Sequence, residues 1–559
     1  MQLFRLCGKR QRLAPDAGPQ EDLAAQDPAT RLRTGGSELL QVVRRVAAEL
    51  GVPCEGDALS LDSAAAVRFA AALETQLGWR LPATLLFDYP SISELVDRGL
   101  QPRDGTSSFV HVSACEGGPG VLISACWELP GASDEVLWSR LENQVDEVRE
   151  IPLCRWDWTE TNTSESLGYR HASFLEGAEQ FDARFFGLTA AETQAADPQQ
   201  RLLLSTSYGA LAASGHDKGT LLGTPVAVFA GISNQEWYHA SFAQAPGAYT
   251  GTGTSAAVAA NRVSFALGLR GPSAATDTAC SSSLSALSAA ADWLRRPSRH
   301  GGRRIRESVA AGCELLLGPN SVLIRLAANM LSSCTQAGAG EEYADSMSRE
   351  RDVEPRAQAA VLTFGETASS SEVLLAATAL NQDGRSATLT APNGRSQEDV
   401  GDSELLAGLP AAVTFVECHG TGTALGDPIE VGALRAVLGA PREEPLWLGA
   451  GKTNLGHLEA AAGFAGLAKV MCSLQHGAVS ANLHFAELNP HLEREIQESC
   501  LAIASAAPGL QWIFPLPWKG LGRRSDWLKL AVIGQAENQP GVSSFGFGGT
   551  NAHARPPDS

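Results

Sequence analysis

The chain has 559 residues, 44% of them hydrophobic and 6% aromatic, enough for a large core and too many for one ordinary domain. A formal net charge of −19 excludes nucleic acid and anionic membrane surfaces as the main partners. The cysteines stand singly from Cys7 to Cys500 with no Cys-x-x-Cys pair, which excludes a disulfide framework or zinc ribbon and fits a reducing compartment.

In chain order, residues 1–36 are rich in Pro, Gly, Gln and charge and read as a disordered tail. The tail starts basic but has no continuous apolar run, and Asp16, Glu21, Asp22 and Asp27 follow. Cytoplasm is therefore the expected location, a plastid address being the alternative. Residues 37–100 form the next unit. Leu39, Leu40, Val43, Val46 and Ala47 recur at helical spacing, and Val67, Phe69, Ala70, Leu73 and Leu77 mark a second helix from Ala65. Ser91, with Glu94 three residues on, predicts a capping box for a third. Residues 101–117 read as a linker.

From 118 to 559 strand-like and helical runs alternate, which implies an α/β domain with buried sheets. Strands are expected at Val121–Ile123, Pro225–Ile232, Val309–Gly312, Ala412–Glu417 and Leu446–Gly449, and helices at Gln199–Ala213, Ser281–Leu294 and Glu459–Leu474. No apolar run reaches membrane-spanning length, because Glu314, Pro319 and Arg325 break the best stretch.

Three motifs carry chemistry. Cys280 lies in Asp277-Thr278-Ala279-Cys280-Ser281-Ser282-Ser283-Leu284 and is expected to open a helix, where the positive end of the dipole favours thiolate. His419 lies in Glu417-Cys418-His419-Gly420-Thr421-Gly422-Thr423 and His457 in Lys452-Thr453-Asn454-Leu455-Gly456-His457, each in a Gly-rich turn after a strand-like run. A glycine-rich segment, Ser544-Phe545-Gly546-Phe547-Gly548-Gly549-Thr550-Asn551, follows. A thiol with two imidazoles also suits a zinc site or a cysteine protease, but no local ligand pair supports zinc and the blocks around the histidines match no protease pattern.

In these motifs the chain resembles a β-ketoacyl synthase of the modular polyketide synthase type, a likeness that runs from about Gly118 to Ala554 and includes Asp197-Pro198-Gln199-Gln200-Arg201 and Asn381-Gln382-Asp383-Gly384-Arg385. It implies a thiolase-like αβαβα fold, and polyketide or fatty acid chain elongation by decarboxylative Claisen condensation. Cys280 would carry the acyl chain, while His419 and His457 would donate hydrogen bonds to the malonyl-type thioester and its enolate. Lys452 would supply positive charge, Thr421 and Thr423 would bind pantetheine, and Phe547 would line the acyl pocket with its N–H completing an oxyanion hole. No metal is implied.

Leu59-Ser60-Leu61-Asp62-Ser63 with the later block Arg80 to Ile92 resembles an acyl carrier protein, which implies 4'-phosphopantetheine on Ser63; a plain Asp62-Ser63 helix cap is the alternative. Implied partners are acyl and malonyl-type carrier thioesters, other polyketide synthase chains including a separate acyltransferase, and a second copy in a homodimer. The chain departs from the pattern at Ser60 and Ala64 and from Met330 to Leu362, where Tyr343 to Glu350 lacks the usual glycines. The departures keep two rivals in play, a non-elongating acyl-transfer domain and a scaffold subunit.

Overall fold

A computed structural model describes most residues between 36 and 555. The longest intervals outside the described residues are 1–35, 101–110, 158–170, 328–357, 402–412 and 516–538. Residues 1–35 of the expected tail, the block from Met330 up to the strand Gln358–Gly365, and Phe547 therefore lie outside the described residues, while Gly36, read as the end of the tail, opens the first helix.

The first unit is a small helical bundle. Helix Gly36–Glu49 sets Leu39, Val43 and Val46 against Phe69 and Leu73 of helix Ser63–Leu77. The short helix Ile92–Glu94 continues into a π-helical turn, Leu95–Gly99, and adds Ile92, Leu95 and Val96 to the same core. Burying each of these side chains contributes about 1.5–3 kcal/mol. The Ser91 hydroxyl accepts from the Glu94 amide at 3.2 Å, the forward half of the predicted box.

The larger unit is built in five layers. The first mixed sheet is centred on Glu307–Cys313, which pairs in parallel with Ala227–Ile232 and antiparallel with Gln358–Gly365. The second is centred on Val413–Glu417, parallel to both Leu446–Gly449 and Gln539–Phe545. Helices Ser282–Arg295 and Ala462–His476 lie between the sheets and join them in one core, with Leu284, Leu287 and Leu294 meeting Phe464, Leu467 and Ala468. Helices Pro198–Ala213 and Ala256–Leu267 cover the outer face of the first sheet. Gly394–Gly401 and Gly426–Leu438 cover that of the second.

Most expected elements lie where hydrophobic periodicity put them, as at Leu446–Gly449. Two differ. The stretch read as linker contributes strand His111–Ala114, which pairs with Ala377–Gln382; four residues are too short a run for alternation to register. The expected helix from Glu459 begins as a 3-10 turn, Glu459–Ala461, before Ala462–His476. Among the described residues no helix is long and apolar enough to cross a membrane.

Two glycines set the spacing of the central layer. A Cβ on Gly231 would come within 2.5 Å of the Ser282 carbonyl carbon, and one on Gly312 within 2.6 Å of the Ser283 Cβ. The strands of the first sheet thus touch the start of the central helix so closely that only glycine fits.

Candidate active site

Cys280, His419 and His457 all follow the carboxyl ends of parallel strands, where ligand crevices of α/β sheets form. Cys280 comes after Ser273–Thr276, His419 after Val413–Glu417, and His457 after Leu446–Gly449 and the short helix Lys452–Leu455.

The helix behind Cys280 begins at Ser282, with Ser281 as its cap. Cys280 therefore stands just ahead of the first turn rather than inside it as the sequence suggested. The reason is local: the Ser282 hydroxyl bonds back to the Ala279 carbonyl at 2.6 Å and accepts from the Thr278 amide at 2.8 Å. These bonds hold a tight elbow in which Ala279 takes φ 51°. A non-glycine residue there costs about 1–3 kcal/mol, a strain that holds Cys280 at the tip of the elbow.

Cys280 is 6% exposed, and its sulfur lies 3.0 Å from Nε2 of His457. The His419 and His457 rings meet edge to face with centroids 5.4 Å apart. The Glu459 amide donates to Nδ1 of His457 at 3.3 Å, so the proton of the neutral ring sits on Nε2 and faces the sulfur. The thiol in turn reaches Oε2 of Glu459 at 3.5 Å. Burial drives the His457 pKa down to about 4, with Lys452 and Arg325 acting in the same sense and Glu459 opposing. His419 is driven well below the ordinary histidine value by burial, then by Lys452 and His457. Both rings are neutral at pH 7.

His419 is positioned through its backbone. Glu430 accepts the His419 amide at 2.6 Å and the Gly420 amide at 2.9 Å, and Asp427 accepts that of Gly422 at 3.0 Å. Both carboxylates come from helix Gly426–Leu438, so one helix clamps the whole turn. Thr421 is buried, and the Thr423 hydroxyl accepts the Gly426 amide at 3.0 Å, capping that helix. Lys452 sits where both histidines feel its charge, and burial lowers its own pKa against the pull of Glu430 and Glu417. Beneath it Lys469 and Glu417 form a buried ion pair at 2.9 Å, and Glu417 also accepts the Gly451 amide, tying the two histidine turns together.

Four contributors carry no motif signal of their own in the sequence: Glu459, Glu430, Asp427 and Arg325. Glu459, Glu430 and Asp427 stand inside the blocks that flank the histidines, which was their only signal. The donor atoms of Cys280, His457 and Glu459 lie within 4.8 Å of one another. Yet the Arg325 guanidinium holds Glu459 at 2.9 Å, and a fixed cation there opposes a second positive charge. The trio fits acyl chemistry better than a metal.

In the bundle, Ser63 is the first residue of helix Ser63–Leu77, whose Phe69, Ala70 and Leu73 are sunk in the core. A serine at the start of a core-anchored helix fits an attachment point for a phosphopantetheine arm.

Three family profiles match the chain: "Phosphopantetheine attachment site" over residues 40–98, "Beta-ketoacyl synthase, N-terminal domain" over 123–349 and "Beta-ketoacyl synthase, C-terminal domain" over 373–486. Among curated proteins the chain is 34% identical to erythronolide synthase EryA2 of Saccharopolyspora erythraea, over 98% of this chain and 15% of that protein. It is also 34% identical to the polyketide synthase GfsE of Streptomyces halstedii, over 89% of this chain and 13% of the relative. The chain thus spans a small part of the length of these relatives. Among solved structures, the ketosynthase from module 6 of the bacillaene synthase of Bacillus subtilis 168 superposes with a TM-score of 0.63 at 28% identity, covering 80% of this chain and 72% of that one. The oxazolomycin ketosynthase domain OzmH KS7 of Streptomyces albus JA3453 gives 0.66 at 26% identity, covering 79% and 75%. With a thiolase-like layered fold, a thiol beside two neutral imidazoles and a carrier-type bundle ahead of them, the chain belongs to the β-ketoacyl synthase family of modular polyketide synthases.

Proposed function

We propose that the protein extends acyl chains by decarboxylative Claisen condensation, with Cys280 as nucleophile and His419 and His457 as hydrogen-bond donors. The Cys280 thiolate attacks an incoming acyl thioester, and the carrier thiol leaves. A malonyl-type carrier thioester then loses carbon dioxide, and its enolate carbon attacks the acyl carbonyl. The Cys280 sulfur departs, and a β-ketoacyl carrier thioester results. The observation that carries this reading is the His457 Nε2 at 3.0 Å from the sulfur with Nδ1 already accepting an amide proton. A neutral ring in that tautomer donates to thiolate and to a developing oxyanion, which is what enolate formation requires. Lys452 adds positive charge to the same field, and Thr421, Thr423 and Phe547 are assigned to pantetheine and acyl binding.

The arm belongs to residues 37–100 in this reading, ahead of a linker at 101–117 and the condensing domain at 118–559, with 1–36 as a tail. When bound, 4'-phosphopantetheine presents an acyl group as a thioester on a long flexible arm, and Ser63 is the residue we assign to hold it. Partners are acyl and malonyl-type carriers, other synthase chains with a separate acyltransferase, and a second copy in a homodimer. Cytoplasm is the assigned location.

The test is to offer the purified protein an acyl and a malonyl carrier thioester. A β-ketoacyl carrier lengthened by two carbons, lost in Cys280→Ala, is the expected result. Acyl transfer to Cys280 without condensation would replace this reading with a non-elongating one. Incubation with coenzyme A and a broad-specificity transferase should add about one arm to the intact mass, and the gain should vanish in Ser63→Ala.

A further inference from the structure

Behind the nucleophile runs a chain of charged groups that the condensation mechanism does not use. Strand Glu307–Cys313 ends next to Glu314, and the chain re-enters a helix at Asn320–Ala327 that carries Arg325. Glu236 fixes this helix by accepting the Leu317, Gly318 and Ser321 amides at 2.6, 3.0 and 3.0 Å, so the guanidinium is delivered from a pinned support. Nε of Arg325 lies 2.9 Å from Oε1 of Glu459, whose other oxygen is 3.5 Å from the Cys280 sulfur. On its far side Arg325 approaches Glu314 at 3.8 Å, and Glu314 is 1% exposed.

The geometry points to Arg325 as a positioning residue that acts through Glu459, neutralising the carboxylate beside Cys280 and so setting how readily the sulfur ionises. A bare carboxylate at that distance would hold the thiol proton and oppose thiolate; a carboxylate engaged by a guanidinium accepts more weakly. Glu459 reaches its ring neighbour too: its amide fixes the His457 tautomer, and its backbone is in the left-handed region at φ 45°. Loss of the anchoring ion pair therefore releases a strained turn that orients the imidazole as well.

The other charged groups facing this cluster divide cleanly. Lys452 raises the local positive field from the His457 side, and the neutral His419 and His457 rings add none. Asp277 acts on Glu314 from the segment that leads to Cys280, and burial, then Glu459, push the Glu314 carboxyl well above the usual carboxylate range. Arg325 sits closer to Glu459 than to Glu314, 2.9 against 3.8 Å, and the Glu459 pKa is lowered despite its burial, chiefly by Arg325.

This inference rests on Cys280 being the nucleophile, and the experiment separates the two. The rate of Cys280 alkylation by iodoacetamide is followed against pH by peptide mass spectrometry, without any condensation assay. Removing the guanidinium in Arg325→Met should raise the midpoint by about one pH unit, Glu459→Gln should lower it, and the double variant should fall between the two. Arg325→Lys, which keeps the charge and loses the fork, should restore most of the parent profile, and Arg325→Gln, which also removes the charge, replaces Arg325→Met if that variant does not fold. A folded charge-removing variant of Arg325 whose midpoint matches the parent would overturn the role of Arg325. A parent protein in which Cys280 resists alkylation across the range would overturn the nucleophile assignment instead.

Discussion

The two histidine turns are held in place by opposite means. The His419 turn is held from outside, by two carboxylates of helix Gly426–Leu438 that grip its amides and touch no reacting atom. The His457 turn is held from inside, through its ring and through Glu459, both in contact with the sulfur. A change near His419 should therefore alter one donor and leave the thiol alone, whereas a change near His457 should alter donor and nucleophile together.

The sharpest way to break that contrast is to remove each ring. His419→Ala and His457→Ala should each lower condensation about a hundred- to a thousandfold, the usual cost of one positioned donor. Only His457→Ala should also change the rate at which Cys280 is acylated, measured by trapping the acyl-enzyme. Equal acylation in both variants would dissolve the distinction.

A finer test acts on the clamp. Glu430→Ala removes the acceptor for two amides, bonds worth about 1.5–3 kcal/mol each when a charged group takes part. It should reduce condensation by roughly tenfold or more through His419 while the alkylation profile of Cys280 stays put. If the profile moved, the two turns would be coupled through the Glu417–Lys469 pair beneath them.

Acid stability separates the turns more gently. His457 titrates near 6.5 in an unfolded chain and at about 4 in the folded protein, so between these values the unfolded chain holds more protons. Stability contributed by the neutral ring is present above 6.5 and is lost as pH falls toward 4. His457→Gln should flatten the fall in melting temperature over that interval. Asp197, raised to about 6 by burial, works with the opposite sign and serves as the control in Asp197→Asn. The smallest effect is expected from Thr423→Val, which removes the cap on Gly426 and should cost about 1 kcal/mol, seen in a denaturant melt.

Legibility followed the same division. Residues that carry chemistry stood in compact blocks, and the strand-like runs before them were readable because buried parallel strands are continuously apolar. The supporting charges were not readable as such. In the sequence Glu314 and Arg325 only break an apolar stretch, since a sequence shows where a charge interrupts but not which distant group it meets. The strained φ of Ala279 left no trace either: alanine rarely takes that conformation, and the serine hydroxyls that enforce it look like ordinary helix caps.

The order of the second sheet has a consequence for how the protein is made. Strand Gln539–Phe545 lies between Val413–Glu417 and Thr550–Arg555, near the middle of the sheet, although a long stretch of chain separates it from the first of these. Until Gln539–Phe545 leaves the ribosome, strand Val413–Glu417, which leads into His419, presents an unpaired apolar edge. Such non-local closure is slow and exposes the intermediate to edge-to-edge association. The nascent chain therefore passes through a stage in which the Cys280 elbow can be formed while the sheet beneath one histidine is still open, and that interval is when a chaperone has most to protect.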